Sequence, residues 1–83
     1  PVSTQDAAQS AFAQISPSLS ADGHVNIQLS GDVQLHRVQV WDSAGKLVWD
    51  QPARELWLPA ERGVYFVAIE TNRGRVVRKV MRQ

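Results

Sequence analysis

The sequence predicts an all-β protein made of short strands. After residue 11, short runs rich in β-branched and aromatic residues recur at nearly regular spacing. Glycine, asparagine, aspartate and proline separate these runs, and no helical period appears among them. The architecture that fits is a small, seven-stranded, antiparallel immunoglobulin-like β-sandwich. A small barrel is the competing arrangement, and the cysteine–tryptophan–cysteine core of antibody domains is absent.

The first three strands are predicted from alternation and from the residues that stop them. Phe12–Ser16 ends at Pro17, which cannot donate to a strand ladder. His24–Leu29 alternates apolar and polar residues after an Asp-Gly turn signal. Leu35–Asp42 alternates valines with polar residues in the same way, which is typical of a half-buried strand.

The last four strands are predicted from hairpin signals and β-forming residues. Lys46–Asp50 follows Gly45, which can adopt the positive φ that closes a short hairpin. Arg54–Leu58 carries leucines on one phase, and Gly63–Glu70 is apolar on both phases, as expected of the central strand. Arg75–Arg82 follows a second hairpin turn and is the last strand.

Composition limits what this chain can do. With 83 residues it supports one domain, whose thin core leaves no room for a deep substrate pocket. A net charge of +1 gives no electrostatic case for binding nucleic acid or membrane, and no apolar run is long enough to insert into a bilayer. The absence of cysteine removes thiol catalysis, thiolate metal sites and redox sensing.

The domain is expected to span residues 12–83. Residues 1–11 are small and polar and are predicted to form a linker, with a helical turn near Asp6–Ala11 capped by Thr4 or Asp6. Because the sequence opens abruptly at Pro1, we expect a longer parent whose targeting signals lie elsewhere.

Candidates for catalysis are weak, so this domain is not expected to be an enzyme or to need a cofactor. His24 and His36 lie near acids, but their spacing matches no metal motif, and solvated surface histidines are the favoured interpretation. No serine lies in a Gly-x-Ser-x-Gly elbow, and the glycines are scattered singly rather than in a phosphate loop.

Two other features suggest binding. Trp41, Trp49 and Trp57 are eight residues apart on successive strands and would form an aromatic platform if their strands lay side by side. The favoured alternative is that they complete a thin core or cover a sheet edge. After Glu70 the chain contains no acid and accumulates arginine and lysine, either as a basic handle for an acidic receptor or as protection of a terminal edge strand. Nucleic-acid binding is less favoured, because no recognition motif accompanies the charges.

Three blocks between Ile15 and Gln83 form a recognisable order. The first is a proline followed by a glycine and a short alternating strand that ends at Ile27. The second, Val38–Val48, is a strand, a turn with Asp42, Gly45 and Lys46, and another apolar strand. The third includes Leu56–Ala60, Gly63–Val67 and the basic, valine-rich Gly74–Arg82. In order and spacing these blocks resemble the C-terminal sorting domains of the type IX secretion system of Bacteroidota.

Two positions depart from the family pattern. A single Pro17 stands where the family usually has an asparagine between two prolines, and Gln83 stands where a lysine or arginine is usual.

The resemblance implies a role in transport. Such domains follow a cargo protein, are recognised in the periplasm by outer-membrane translocon and shuttle proteins, and reach the cell surface or the medium. In most cargo a sortase-like peptidase cuts in the linker before the sandwich, here residues 1–11. We expect recognition of the last hairpin, through the residues that match the family motif: Gly63, Val64, Tyr65, Gly74, Arg75, Arg78, Lys79, Val80 and Arg82.

Two further expectations concern partners. An exposed hairpin edge would allow strand exchange between two copies, giving a homodimer. The competing function is an immunoglobulin-like accessory module of a larger surface protein, which binds carbohydrate or protein through its tryptophans. A sorting domain must lie at the extreme C-terminus of its parent, whereas an accessory module can lie anywhere.

Overall fold

The alternating runs form strands in the computed structural model, which describes residues 12–17 and 19–83. All seven predicted strands are present with shifts of one residue at some ends, and no α-helix occurs in these two ranges. The predicted linker, with its helical turn, lies outside the described residues. The strands are β1 (Ala13–Ser16), β2 (Leu19–Ser20), β3 (His24–Leu29), β4 (Leu35–Asp42), β5 (Leu47–Gln51), β6 (Glu55–Trp57), β7 (Gly63–Thr71) and β8 (Gly74–Arg82).

The eighth strand, β2, was not predicted from the sequence. It is two residues long and pairs in parallel with the end of β8, where Leu19 faces Met81 and Ser20 faces Arg82. The prediction of a wholly antiparallel, seven-stranded fold is therefore wrong in these two respects. A pair this short has no alternation to detect, and its partner lies far away along the chain.

The strands form two sheets. One has three strands in the order β1-β3-β6, and the other has five in the order β2-β8-β7-β4-β5. The predicted central strand is confirmed, since β7 is the middle strand of the larger sheet. Along β7 the side chains of Tyr65, Val67 and Ile69 face inward, and the intervening Phe66 faces outward.

The core lies between the two sheets, as the pattern of alternate apolar residues predicts. The smaller sheet contributes Ala13, Val25, Ile27 and Leu56, and the larger sheet contributes Val38, Val40, Tyr65, Val67, Ile69, Val76 and Val80. All of these side chains are buried and belong to one cluster. The all-β, two-sheet character expected from the sequence is therefore confirmed.

Tyr65 connects the start of β7 to the loop before it. The phenol is buried in the core but its hydroxyl donates a hydrogen bond of 2.9 Å to the backbone carbonyl of Glu61, four residues upstream. Burial raises the pKa of Tyr65 above its ordinary value of 10.0, and the nearby charges of Glu61 and Asp42 add to the effect.

The raised pKa predicts a loss of stability in alkali. The unfolded chain releases the phenol proton near pH 10, and the folded chain releases it at a higher pH. The free energy of unfolding is therefore unaffected by this group below pH 10 and falls as the pH rises from there through the pKa of the folded state. Tyr65 is the only tyrosine, so tyrosinate absorbance in the native and denaturant-unfolded chain reports its two pKa values directly. Titration of the native phenol at or below the unfolded value would contradict the prediction. Tyr65→Phe removes this component of the alkaline stability loss.

Candidate recognition surfaces

Strand alternation divides the predicted recognition residues between two faces of the β7–β8 hairpin. Tyr65 and Val80 are core residues, and Arg78 and Arg82 have the same phase on their strand as Val76 and Val80. Arg78 donates to the carbonyl oxygen of Ala13 from Nε at 3.2 Å and from Nη2 at 3.0 Å.

Arg82 also bonds to backbone carbonyls, donating from Nη1 to Ala21 and, at 2.8 Å, to Gln83. These two arginines therefore hold chain segments together. The residues of the predicted set whose side chains face outward are Val64, Arg75 and Lys79.

The outward side of the larger sheet carries an apolar surface that the sequence did not reveal. Of the six large hydrophobic residues that are exposed in the described part of the chain, five share this side. Cross-strand partners place Met81 beside Val64, Phe66 beside Trp41, and Trp41 beside Leu47. We call this surface the outer apolar face; it comprises Leu19, Trp41, Leu47, Val64, Phe66, Val77 and Met81.

Charged residues border the outer apolar face and, at Lys79, interrupt it. Arg37 donates to both carboxylate oxygens of Asp50, at 2.8 and 3.0 Å, and these bonds lower the pKa of Asp50 below its usual range. Arg75 lies over the ring of Trp41, 5.8 Å from its centroid, and is 4.0 Å from Glu70. Lys79, opposite Phe66, has no acid within ion-pair distance among the described residues.

The predicted turn motif is a compact loop between β4 and β5. Asp42 Oδ1 accepts hydrogen bonds from the backbone N–H groups of Ala44 and Lys46, at 3.0 and 2.8 Å. Gly45 has φ +87°, the positive value expected from the sequence. The carboxylate and the glycine thus fix the hairpin, and Lys46 contributes its backbone to the loop while its side chain is exposed.

The three tryptophans lie on three different parts of the fold. Trp41 is on the outer apolar face, and Trp49 packs against the core. Trp57 is exposed on the outward side of the smaller sheet, because β6 joins that sheet although β4 and β5 belong to the larger one. The structure therefore does not bring them together into one platform. Trp49 packs against the core, and Trp57 lies on β6, the edge strand of the smaller sheet.

The histidines also lie apart in the fold. His24 pairs with Trp57 on the smaller sheet, and His36 is an exposed residue of β4 in the larger sheet. No group of three potential metal-ligating residues occurs in the described part of the chain. Nor does any helix there have the length and hydropathy required to span a bilayer.

The outer apolar face was missed because β8 mixes charged and apolar residues on the same phase. Arg75, Val77, Lys79 and Met81 alternate with the inward residues, so basic charge concealed an apolar stripe. The signal that would have found it is the presence of apolar residues on both phases of β7 and β8. Comparison with known proteins adds no assignment: no family model matches this chain, and no curated protein matches it.

Proposed function

We propose that this chain is a C-terminal sorting domain of the type IX secretion system, which directs a parent protein across the outer membrane of a Bacteroidota bacterium. The proposal rests on the sequence resemblance and on one structural observation, the outer apolar face, to which the last hairpin contributes Val64, Phe66, Val77 and Met81. A soluble domain rarely exposes so many neighbouring apolar side chains without a partner. The route runs through the periplasm and ends at the cell surface, in the outer membrane layer, or in the medium.

The partner is a translocon or shuttle protein that docks on the β7–β8 part of the outer apolar face. Phe66, Val77 and Met81 provide the apolar centre, with Val77 52% exposed. Arg75 provides positive charge at one end of this centre, and Lys79 provides it between Val77 and Met81, so the complementary receptor surface is apolar with acidic groups at these two places. Exposed apolar area supplies affinity and the charges supply orientation and encounter rate.

Two finer assignments belong to the same proposal. The sandwich is immunoglobulin-like, which is supported by the Tyr65 hydroxyl bonding back to Glu61 at the start of β7, as a tyrosine corner does. The sortase-like peptidase cuts within residues 1–11, ahead of the first strand. Neither sorting nor cleavage by that peptidase requires a catalytic residue or a cofactor in this domain.

The test is secretion of a reporter fused ahead of this chain in a Bacteroidota host that has the system. We expect the double variant Val77→Gln, Met81→Gln to leave the reporter in the periplasm, because truncating a hot-spot residue at the centre of an interface costs about 2 kcal/mol or more, which weakens docking at least roughly tenfold. Both residues are exposed, so the fold is expected to lose little stability.

The matched control adds the same number of glutamines elsewhere. Arg54→Gln with Ala60→Gln changes two exposed positions away from the outer apolar face, and we expect this variant to be secreted like the native chain. Thermal unfolding of both purified variants separates a docking defect from a folding defect. Native secretion of a folded Val77→Gln, Met81→Gln variant would contradict the proposed docking surface, and retention of the native fusion would contradict the sorting function.

A further inference from the structure

On the outward side of the smaller sheet, polar side chains surround a single exposed aromatic ring. The outer apolar face, on the larger sheet, is mainly apolar instead. Trp57 is 54% exposed and is the one large exposed hydrophobic residue, among those described, that lies off the outer apolar face. Its ring leans against His24, with centroids 5.0 Å apart and planes inclined at 47°. His24 Nε2 is 3.2 Å from Glu55 Oε1, to which it donates a hydrogen bond.

Within this group, the backbone of His24 is held in place by hydrogen bonds from neighbouring side chains. The hydroxyl of Ser20, which is fully buried, accepts from the N–H of Gly23 at 2.9 Å and donates to the carbonyl of His24 at 3.1 Å. Asp22 Oδ1 accepts from the N–H of His24 at 2.9 Å. The Trp57 ring therefore has a braced neighbour on one side and an open face on the other, which reduces the entropy lost when a ligand binds.

Hydrogen-bonding side chains extend from the aromatic ring along the sheet. Along β3, the His24–Trp57 pair is followed by Asn26 opposite Glu55 and then by Gln28 opposite Gln14. Successive pairs are two residues apart on β3 and therefore about 6–7 Å apart. The amides of Gln14, Asn26 and Gln28 make no hydrogen bond within the described part of the chain, and all three are exposed. Unpaired amides and a carboxylate can together donate to and accept from hydroxyl groups.

We propose that this side of the smaller sheet binds a neutral β-1,4-linked glycan, with one pyranose ring stacked on Trp57. Because the substituents of such a sugar are equatorial, its C–H hydrogens form a flat face on each side of the ring. These hydrogens are weakly positive and match the negative face of an indole. Glu55 and Asn26 accept and donate hydrogen bonds at the sugar hydroxyls. A sheet face is flat, as an extended glycan requires, and the Glu55 carboxylate disfavours acidic sugars.

The expected dissociation constant for a hexasaccharide is on the order of 1 mM, because only one stacked ring and a few exposed hydrogen bonds provide the affinity. This binding is independent of the sorting role, since it uses the opposite sheet. A domain with both surfaces would engage a secretion protein through one sheet and a polysaccharide through the other.

The experiment is a titration of the ¹⁵N-labelled chain with cellohexaose and with chitohexaose, followed by two-dimensional NMR. We expect saturable shifts of the Trp57 indole N–H and the Asn26 side-chain amide, with the Trp41 and Trp49 indole signals unchanged. In Trp57→Ala the remaining reporter, the Asn26 side-chain amide, is expected not to shift, whereas Trp41→Ala, on the other sheet, leaves the affinity within twofold of the native value.

A second variant covers the case in which loss of Trp57 disturbs folding. Asn26→Ala removes an exposed amide and is expected to weaken binding severalfold while the spectrum of the free chain stays native-like. The proposal is overturned if neither hexasaccharide shifts the Trp57 indole of the native chain at concentrations well above the expected dissociation constant, or if the Asn26 side-chain amide still shifts in a folded Trp57→Ala variant. Equal binding of an acidic oligogalacturonate would overturn the assignment to neutral glycans.

Discussion

Replacing Gly23 with alanine is expected to lower the free energy of unfolding by roughly 2–4 kcal/mol. Gly23 has φ +89°, where an L-residue is strained. A Cβ atom added there would also lie 2.9 Å from the carbonyl oxygen of Leu58 and 3.2 Å from Arg82 Nε. The first contact is with backbone that cannot move freely, because the N–H of Leu58 donates to the carbonyl of Gly23 at 2.7 Å.

Gly45 provides a matched control for this variant. Its φ of +87° is nearly the same, but an added Cβ would meet nothing within 4 Å. Gly45→Ala is therefore expected to lower the free energy of unfolding only by the cost of holding alanine at a positive φ, about 1–2 kcal/mol. Urea unfolding of both variants measures the two losses, and their difference isolates the clash with Leu58. Equal losses at the two glycines would contradict the contact at Gly23.

The positions of the strands were predictable because alternation is a local property. His24–Leu29 has apolar residues on one phase, and the structure buries Val25 and Ile27 while exposing Asn26 and Gln28. Gly45 could be assigned a positive φ from its position after a short polar turn. These features depend on neighbours within a few residues, so the sequence carries them directly.

The relation between strands was less predictable, because it depends on which sheet each strand joins. Trp41, Trp49 and Trp57 have equal spacing, yet β6 crosses to the smaller sheet, and a bulge between Val40 and Trp41 shifts the pairing of β4 with β5. Spacing along the chain contains no information on such a crossover. The grouping of Trp57 with His24 and Glu55 on one face of the smaller sheet could therefore not be predicted from the sequence.

The terminal arginines show a second limit of composition. Their positive charge suggested exposed recognition residues, but Arg78 and Arg82 share the phase of buried valines. A long side chain can lie along apolar surface while its guanidinium donates hydrogen bonds to backbone carbonyls. Phase along the strand was thus a better guide to exposure than charge.

This interpretation predicts that Arg78→Met lowers the free energy of unfolding by about 1.5–3 kcal/mol, the range for a hydrogen bond to a charged group. The variant keeps the aliphatic stem but leaves the carbonyl of Ala13 without its two guanidinium donors. Ala13 is fully buried, so water does not replace those donors without rearrangement of β1. The loss is measured by urea unfolding of the purified chain.

The adjacent residue gives the control that distinguishes a structural from a recognition role. Lys79 faces outward beside Phe66, so Lys79→Met is expected to change stability by less than about 0.5 kcal/mol while weakening docking to an acidic receptor surface. In the reporter assay Lys79→Met therefore reduces secretion of a fully stable domain. An Arg78→Met domain with native stability and defective secretion would instead identify Arg78 as a residue that the receptor contacts, and would show that its bonds to Ala13 contribute little to the fold.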